Sequence, residues 1–266
     1  MGVLNVTPDS FSDGGLAFDA DRAVERALEI EAAGADLVDI GAESTRPGAD
    51  PIDAPEEWRR LKPVLKRLAG NLRIPISVDT YRAETARRAL DQGAAIINDI
   101  SGLGYDASLG SVVAERGAAL VLMHTRGRSR DMYEAAQYGD VVIDVASDLQ
   151  RSIERAVGRG VPWDRLVIDP GFGFAKRAAH SFEVLAATGR FASLGRPVLV
   201  GPSRKSFLSS ATGAQPPQQR DWATAAAVTA AVLGGAHIVR VHRVAEMVEV
   251  VRVADAIRHH GQAVLK

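Results

Sequence analysis

The sequence predicts an α/β protein, a single-domain (β/α)8 TIM barrel spanning residues 1–266. Three observations point there. Short, apolar, β-rich runs alternate with longer segments of helical period, eight of each. Several of the apolar runs lack polar alternation, as strands buried on both faces do. Each run leads directly into polar residues, as strands do at the carboxyl face of a barrel, where such folds keep their chemistry. A doubly wound open sheet is the runner-up, but it usually needs fewer strands and leaves two edges. No linker or shift in composition divides the chain.

The elements follow in order. A strand at 2–6 opens into a polar, glycine-containing loop, and the helix at 21–33 places Ala23, Ala27, Ile30 and Ala33 on one face. A strand at 37–40 precedes the helix at 56–68, which carries Trp58, Leu61, Leu65 and Leu68, with Pro55 suited to its first turn. The strand at 74–78 is followed by a helix at 82–92 ending at Gly93. The strand at 95–98 is followed by a helix at 109–116 ending at Gly117, glycine being the usual residue just past a helix. Strands at 119–123, 166–168, 197–200 and 238–241 lead to helices at 141–158, 181–188, 221–233 and 244–258.

The apolar fraction is 46% and the charged fraction 24%, enough for a sizeable core. A net charge of -1 implies no general polyanion-binding surface. The absence of cysteine excludes disulfides, zinc–thiolate sites, iron–sulfur clusters and cysteine nucleophiles. No apolar run is long enough to span a bilayer and no export leader is visible, so a cytoplasmic enzyme with no membrane partner is expected. The basic stripe of Arg59, Arg60, Lys62, Lys66 and Arg67, and the segment 126–130, read as solvated faces. Neither is interleaved with aromatics, so no nucleic-acid partner is expected.

The residues at the strand ends carry the functional argument. They are Asn5, the segment 43–48, Asp79, Asn98 and Asp99, the segments 124–126, 169–173 and 203–206, and Arg240 with His242. Any one has an ordinary explanation, since Asp after a strand often caps a helix and Asp-Pro-Gly is a common turn. Eight loops at once are harder to explain that way. Asp79, Asn98 and Asp169 suit a flat heterocycle bearing N–H donors, and Lys205 suits a ring carbonyl or nitrogen. Arg46, Arg240 and His242 suit a phosphate or pyrophosphate. Asn5 offers a side-chain oxygen to Mg²⁺, which prefers oxygen ligands, phosphates and water. The ligand implied is planar, amino-substituted and pyrophosphorylated.

Seven segments in order then carry a resemblance to a known family. They are Gly2-Val3-Leu4-Asn5-Val6-Thr7-Pro8-Asp9-Ser10-Phe11-Ser12-Asp13-Gly14-Gly15, Glu43-Ser44-Thr45-Arg46-Pro47-Gly48, Ser77-Val78-Asp79-Thr80, Asn98-Asp99-Ile100, Asp169-Pro170-Gly171-Phe172-Gly173-Phe174, Ser203-Arg204-Lys205-Ser206 and Arg240-Val241-His242. Over nearly its whole length the chain resembles the dihydropteroate synthases, which are (β/α)8 barrels. That family condenses 6-hydroxymethyl-7,8-dihydropterin pyrophosphate with 4-aminobenzoate, giving 7,8-dihydropteroate and pyrophosphate in folate synthesis.

The resemblance implies roles. Asp79, Asn98, Asp169, Lys205 and Arg240 hold the pterin, with Met123 and Phe172 beside it, although Met123 equally suits the core. Asn5, Arg46, Arg240 and His242 grip the pyrophosphate, and Mg²⁺ bridges its oxygens near Asn5. Asp79, Lys205, Arg240, His242 and Arg46 form the catalytic set, and departure of pyrophosphate before attack by the aniline nitrogen gives an SN1-like path. Phe11, Thr45, Pro47 and Ser206 take the aminobenzoate, with the start of a helix after Lys205 helping its carboxylate. Sulfonamide sensitivity and a homodimer are expected. Three positions depart from the family's habit: Thr125 stands where a second Met is frequent, Ala175 where Gly is frequent, and Arg243 where Asp is common. The alternatives are a pterin-dependent methyltransferase domain and a non-catalytic pterin-binding paralogue.

Overall fold

Eight parallel strands close on themselves. In the computed structural model, which describes residues 1–7, 20–44 and 48–260, β1 (Gly2–Asn5), β2 (Val38–Gly41), β3 (Ile76–Asp79), β4 (Ile96–Asp99), β5 (Ala119–Met123) and β6 (Leu166–Asp169) pair in sequence order. The strands β7 (Leu199–Val200) and β8 (Ile238–Val239) form a second pair. Two single bridges, Ile168 to Val198 and Gly2 to Val241, join the pair to both sides of the six-stranded sheet. Through them Ile168 N donates to Pro197 O at 3.0 Å and Val3 N to Val241 O at 3.0 Å, so among the described residues the sheet has no open edge. The ladder of β7 begins two residues later than expected: Pro197 has no N–H, and Val198 N donates to the His237 side chain at 3.2 Å.

The helices around this ring are α1 (Ala20–Ala32), α2 (Ala54–Leu68), α3 (Ala83–Asp91), α4 (Leu109–Glu115), α5 (Val141–Gly158), α6 (Ala178–Ala186), the short α7 (Ser209–Thr212), α8 (Asp221–Leu233) and α9 (Val244–Arg258). Pro55 lies in the first turn of α2, as predicted, and Asp53 caps that helix by accepting from Glu56 N at 2.9 Å. The start of α6 comes earlier than the spacing predicts, and a 3₁₀ segment, Thr188–Leu194, follows it. Among the described residues, no helix is long and apolar enough to cross a membrane.

Strand parity sorts the side chains into two environments. Leu4, Ile40, Val78, Ile97, Leu120, Ile168 and Val200 point outward and join the main core under the helices. Met1, Val121 and Leu199, with Leu37, Ile96, Val167 and Ile238, form a separate apolar cluster that fills the barrel interior. Polar residues follow on the same inward-facing sides of the strands. The strands β2, β3, β4 and β6 each end one residue later than predicted. In β3 and β6 the added residue is Asp79 or Asp169, where reading apolarity alone stops the strand; pairing continues through it and the barrel shelters the polar side chain. Asp79, Asn98 and Asp169 are therefore fixed by the ladder itself, with Asp79 in register with Asn98 and Asp169 with Met123.

Candidate active site

The polar layer is organised around Asp39, in the middle of β2. Its carboxylate is fully buried and accepts from Ser77 Oγ at 2.6 Å, Asn98 Nδ2 at 3.0 Å and Arg240 Nε at 2.6 Å. Arg240 reaches on through Nη2 to Asp79 Oδ2 at 3.1 Å. One guanidinium thus joins two carboxylates from neighbouring strands. Burial works against its charge, yet Asp39 and Asp79 outweigh that and hold it above the usual arginine range. Burial pushes the Asp79 carboxyl up to about 7, with Arg240 opposing and Asp39 adding to the rise. Gly41 leaves the room Asp79 uses, since a Cβ there would lie 3.3 Å from that of Asp79.

Lys205 and Asp169 complete the constellation from the other side. Burial lowers the Lys205 ammonium to about 8, against the attraction of Asp169. The Asp169 carboxyl is itself raised by burial, with Lys205 opposing. Lys205 Nζ donates to Phe172 O at 2.5 Å and lies 4.5 Å from the centre of the Phe174 ring. Of the two phenylalanines in this loop, Phe172 turns its ring away into the main core, stacked on Phe207. The side chain expected beside the pterin therefore lies outside the site and only its carbonyl faces Lys205. Phe174 instead joins Met123, Tyr81, Ile100 and Tyr105 in a small apolar cluster near the strand ends. Met123 is thus both buried and at the site.

The loop after β6 is held from behind by Lys176, a fully enclosed side chain. Its Nζ donates to His124 Nδ1 at 2.7 Å, Gly171 O at 3.0 Å and Phe174 O at 3.1 Å. His124 Nε2 meets Asp148 Oδ2 at 3.0 Å. Burial lowers the imidazole to about 4, so it is neutral near pH 7 and donates through Nε2 while Nδ1 accepts from Lys176. Arg126 also binds Asp148, through Nε at 3.0 Å, and stacks over Tyr138. It is thus a structural partner and not the solvated charge its sequence context suggests. Gly171 is required at its position: φ is +72°, and a Cβ would sit 2.0 Å from His124 O. Its N–H donates to Asp169 Oδ1 at 2.7 Å, which fixes that carboxylate.

His242 is positioned by Ser203, whose hydroxyl lies 2.9 Å from Nδ1 and accepts from His242 N at 3.2 Å. Arg243, which stands where the resemblance makes Asp common, does not turn toward His242 or the pyrophosphate position. It pairs with Glu246 instead, with Nε 2.7 Å from the carboxylate, on an exposed surface. Ser206 is exposed, and the helix expected to start there is a 3₁₀ turn, Ser206–Leu208, followed by the four-residue α7. Segments so short develop little of the dipole that a carboxylate would use. Glu43 anchors the base of the loop after β2, accepting from Tyr81 OH at 3.0 Å and Arg82 Nη2 at 2.7 Å. Thr45, Arg46, Pro47 and Phe11 lie outside the described residues.

Asn5 ends β1 and is in register with Gly41, itself in register with Asp79. Among the described residues, no group of three His, Asp or Glu side chains could hold a metal by itself. One neutral amide oxygen fits a hard cation whose other ligands are phosphate oxygens and water. Sequence alone assigns Asp39, Ser203, Phe174 and Lys176 no role of their own, although Ser203 and Phe174 lie within the segments that carry the resemblance. A lone Asp between Val38 and Ile40 reads as strand alternation, and the Gly-Phe-Gly-Phe repeat does not say which ring turns inward.

Comparison with known proteins finds the chain similar to pterin binding enzymes along its length. The sequence model of a family described as pterin binding enzyme matches residues 1–242. A dihydropteroate synthase of Mycobacterium leprae (strain TN) is 47% identical over 272 residues, covering 100% of this chain and 95% of that protein. That of Escherichia coli (strain K12) is 42% identical over 256 residues, covering 96% and 90%. Among solved structures, Xanthomonas albilineans dihydropteroate synthase with 4-aminobenzoic acid has a TM-score of 0.91 at 42% identity, with 99% of this chain and 93% of that one covered. The enzyme from the same organism in complex with 7,8-dihydropteroate has a TM-score of 0.87 at 40% identity, with the same coverage. Yersinia pestis dihydropteroate synthase in a sulfonamide drug complex has a TM-score of 0.91 at 40% identity, covering 97% and 93%.

Proposed function

The chain belongs to the pterin binding enzyme family, and we infer that it acts as a dihydropteroate synthase, a transferase of folate biosynthesis. It joins the methylene of 6-hydroxymethyl-7,8-dihydropterin pyrophosphate to the nitrogen of 4-aminobenzoate and releases pyrophosphate. The observation that carries this reading is the linked set Asn98–Asp39–Arg240–Asp79 with Lys205 and Asp169 beside it, a sheltered array of acceptors and cations suited to a flat, donor-bearing ring.

In this proposal Asp79, Asn98 and Asp169 accept the ring N–H groups and Lys205 donates to the ring. Arg240 lies against the pterin, and its charge, with those of His242 and Arg46, meets the negative charge that develops as the C–O bond to pyrophosphate breaks. Mg²⁺ would be held by Asn5 and the pyrophosphate oxygens, and when bound it supplies further neutralisation of the leaving group. The electron-rich dihydropterin and the Asp79 carboxylate stabilise the cationic methylene. The neutral aniline nitrogen then attacks, so no strong general base is needed. Phe11, Thr45, Pro47 and Ser206 contact the aminobenzoate. A secondary deuterium isotope effect well above unity at the methylene is the expected mark of this path; a value near unity argues for direct displacement.

We also propose a cytoplasmic homodimer. Trp222, Ala226, Ala230 and Leu233 form an exposed stripe at helical spacing on α8, next to exposed Val253 and Ile257 on α9. The alanines at 227 and 231, by contrast, are buried against the protein's own core. Sedimentation of the protein and of Trp222→Glu tests the dimer.

The activity test is pyrophosphate release from dihydropterin pyrophosphate and Mg²⁺, with and without 4-aminobenzoate. Release is expected to depend on aminobenzoate and to be lost in Lys205→Ala and Asp169→Ala. Pterin binding without release would point to a non-catalytic pterin binder or a methyl-transfer enzyme.

A further inference from the structure

We propose that Asp39 is a positioning residue of the pterin site, one that selects which face of the Asn98 amide meets the ligand and fixes the plane of Arg240. The inference rests on the synthase reading above. An unpaired carboxylate in mid-strand and without solvent contact is costly, so its partners are what sustain it. Those partners come from three other strands: Ser77 on β3, Asn98 on β4 and Arg240 immediately after β8.

The chemistry of the carboxylate makes the selection. Its oxygens accept from Ser77, Arg240 and the NH2 side of the Asn98 amide, the side to which it can bind only as an acceptor. The amide oxygen of Asn98 is thereby turned away from Asp39 and presented as an acceptor, the polarity that a ring N–H requires. Arg240 is treated similarly. Its guanidinium is planar, and with Nε committed to Asp39 the direction of Nη2 toward Asp79 follows. Asp39 has no exposed surface, so it acts through these two side chains and not on the ligand. A neutral Asn at position 39 offers both a donor and an acceptor and would pair with either face of the Asn98 amide. The selection would then be lost while the volume is kept.

The test uses wild type, Asp39→Asn, Asn98→Ala and the double variant. Affinity for 6-hydroxymethyl-7,8-dihydropterin is measured by calorimetry, alongside steady-state constants for both substrates. Pterin affinity is expected to fall about tenfold in Asp39→Asn, as for a misdirected buried hydrogen bond, and KM for the pterin substrate to rise in parallel. KM for aminobenzoate is expected to stay within about twofold, and the double variant to lose less pterin affinity than the two single losses added together, because the Asn98 contact can be lost only once while the Arg240 effect remains. A general loss of structure would raise both KM values and add to the effect of Asn98→Ala. Should Asp39→Asn not fold, the Asn98 side-chain NH2 of the wild type is followed by NMR, assigned through Asn98→Ala. Strong protection from exchange supports the proposal, and exchange as fast as a free amide overturns it. Wild-type turnover with unchanged pterin affinity in Asp39→Asn, or additive losses, also overturns it. No aminobenzoate-dependent release by the wild type instead overturns the synthase reading, whatever Asp39 does.

Discussion

Lys176 Nζ lies 2.7 Å from His124 Nδ1, a contact between two buried side chains that locks the loop after β5 to the loop after β6. Lys176 also caps Gly171 O and Phe174 O, so the Asp169–Phe174 segment is pinned from behind while Lys205 binds Phe172 O from the site. Lys176→Met keeps most of the side-chain volume but leaves an imidazole nitrogen and two carbonyls unpaired. The expected loss is about 3 kcal/mol of stability. Pterin affinity should fall with it, because Asp169 and Phe174 belong to the freed loop. Denaturant unfolding and pterin titration check both, and a variant as stable as wild type would show that the contact does not hold the loop.

One residue before that lysine, Ala175 is fully buried with φ at +47°, in the left-handed region. Here the family's preference for glycine has a physical reason, since the Ala Cβ strains this conformation by about 1 kcal/mol. Its carbonyl still accepts from Tyr138 OH at 2.8 Å, a bond a glycine would keep. Ala175→Gly is therefore expected to raise the midpoint of thermal unfolding by roughly 2–4 °C, measured by calorimetry. A lower midpoint would mean that the methyl group's packing outweighs the strain.

The barrel and the strand-end groups were legible because each depends on local pattern: an apolar run, then a polar residue at its end. Asp79, Asn98, Asp169, Lys205 and Arg240 could all be found that way. Asp39 could not. It stands in mid-strand, and its meaning comes from Arg240, 201 positions away, and Asn98, 59 away, which only closure of the barrel brings near. The turn of Phe172 into the core, against the sequence expectation, has a related reason. Whether Phe172 or Phe174 faces the site depends on the left-handed backbone at Gly171 and Gly173 and on the turn closed by Phe174 N donating to Gly171 O at 3.2 Å. The Arg243–Glu246 pair, by contrast, has the i,i+3 spacing of neighbours on a helix surface and is open to a reading from sequence.

Asp79 should make the fold less stable as pH rises. Its carboxyl titrates near 7 in the folded protein against 3.8 as the ordinary value, so the folded state retains a proton that the unfolded chain has lost between these values. Stability is then highest below about pH 4 and declines toward pH 7, by at most about 1.4 kcal/mol per pH unit for this group alone. Asp79→Asn removes that slope. The variant is expected to gain stability relative to wild type across this window, with Arg240 still held by Asp39, while turnover falls at least a hundredfold. Paired unfolding curves at pH 5 and 7.5 decide it; a gap that does not widen with pH would rule out an ionisation at Asp79.

Ligand binding should show the same ionisation together with that of Lys205. Ring N–H groups need the Asp79 carboxylate, formed as pH rises through about 7. The ring acceptor needs the Lys205 ammonium, lost as pH rises through about 8. Affinity for 6-hydroxymethyl-7,8-dihydropterin, which has no phosphate to ionise, is therefore expected to peak between these values and to fall on both sides. The two groups sit in one field, so the apparent midpoints belong to the pair. Lys205→Met separates the limbs: binding weakens overall, the alkaline decline disappears and the acid limb stays. A wild-type profile that is flat from about pH 6 to about pH 9 would mean that neither ionisation controls the ligand, and that recognition rests on the site's other polar groups, Asn98, Asp169 and Arg240.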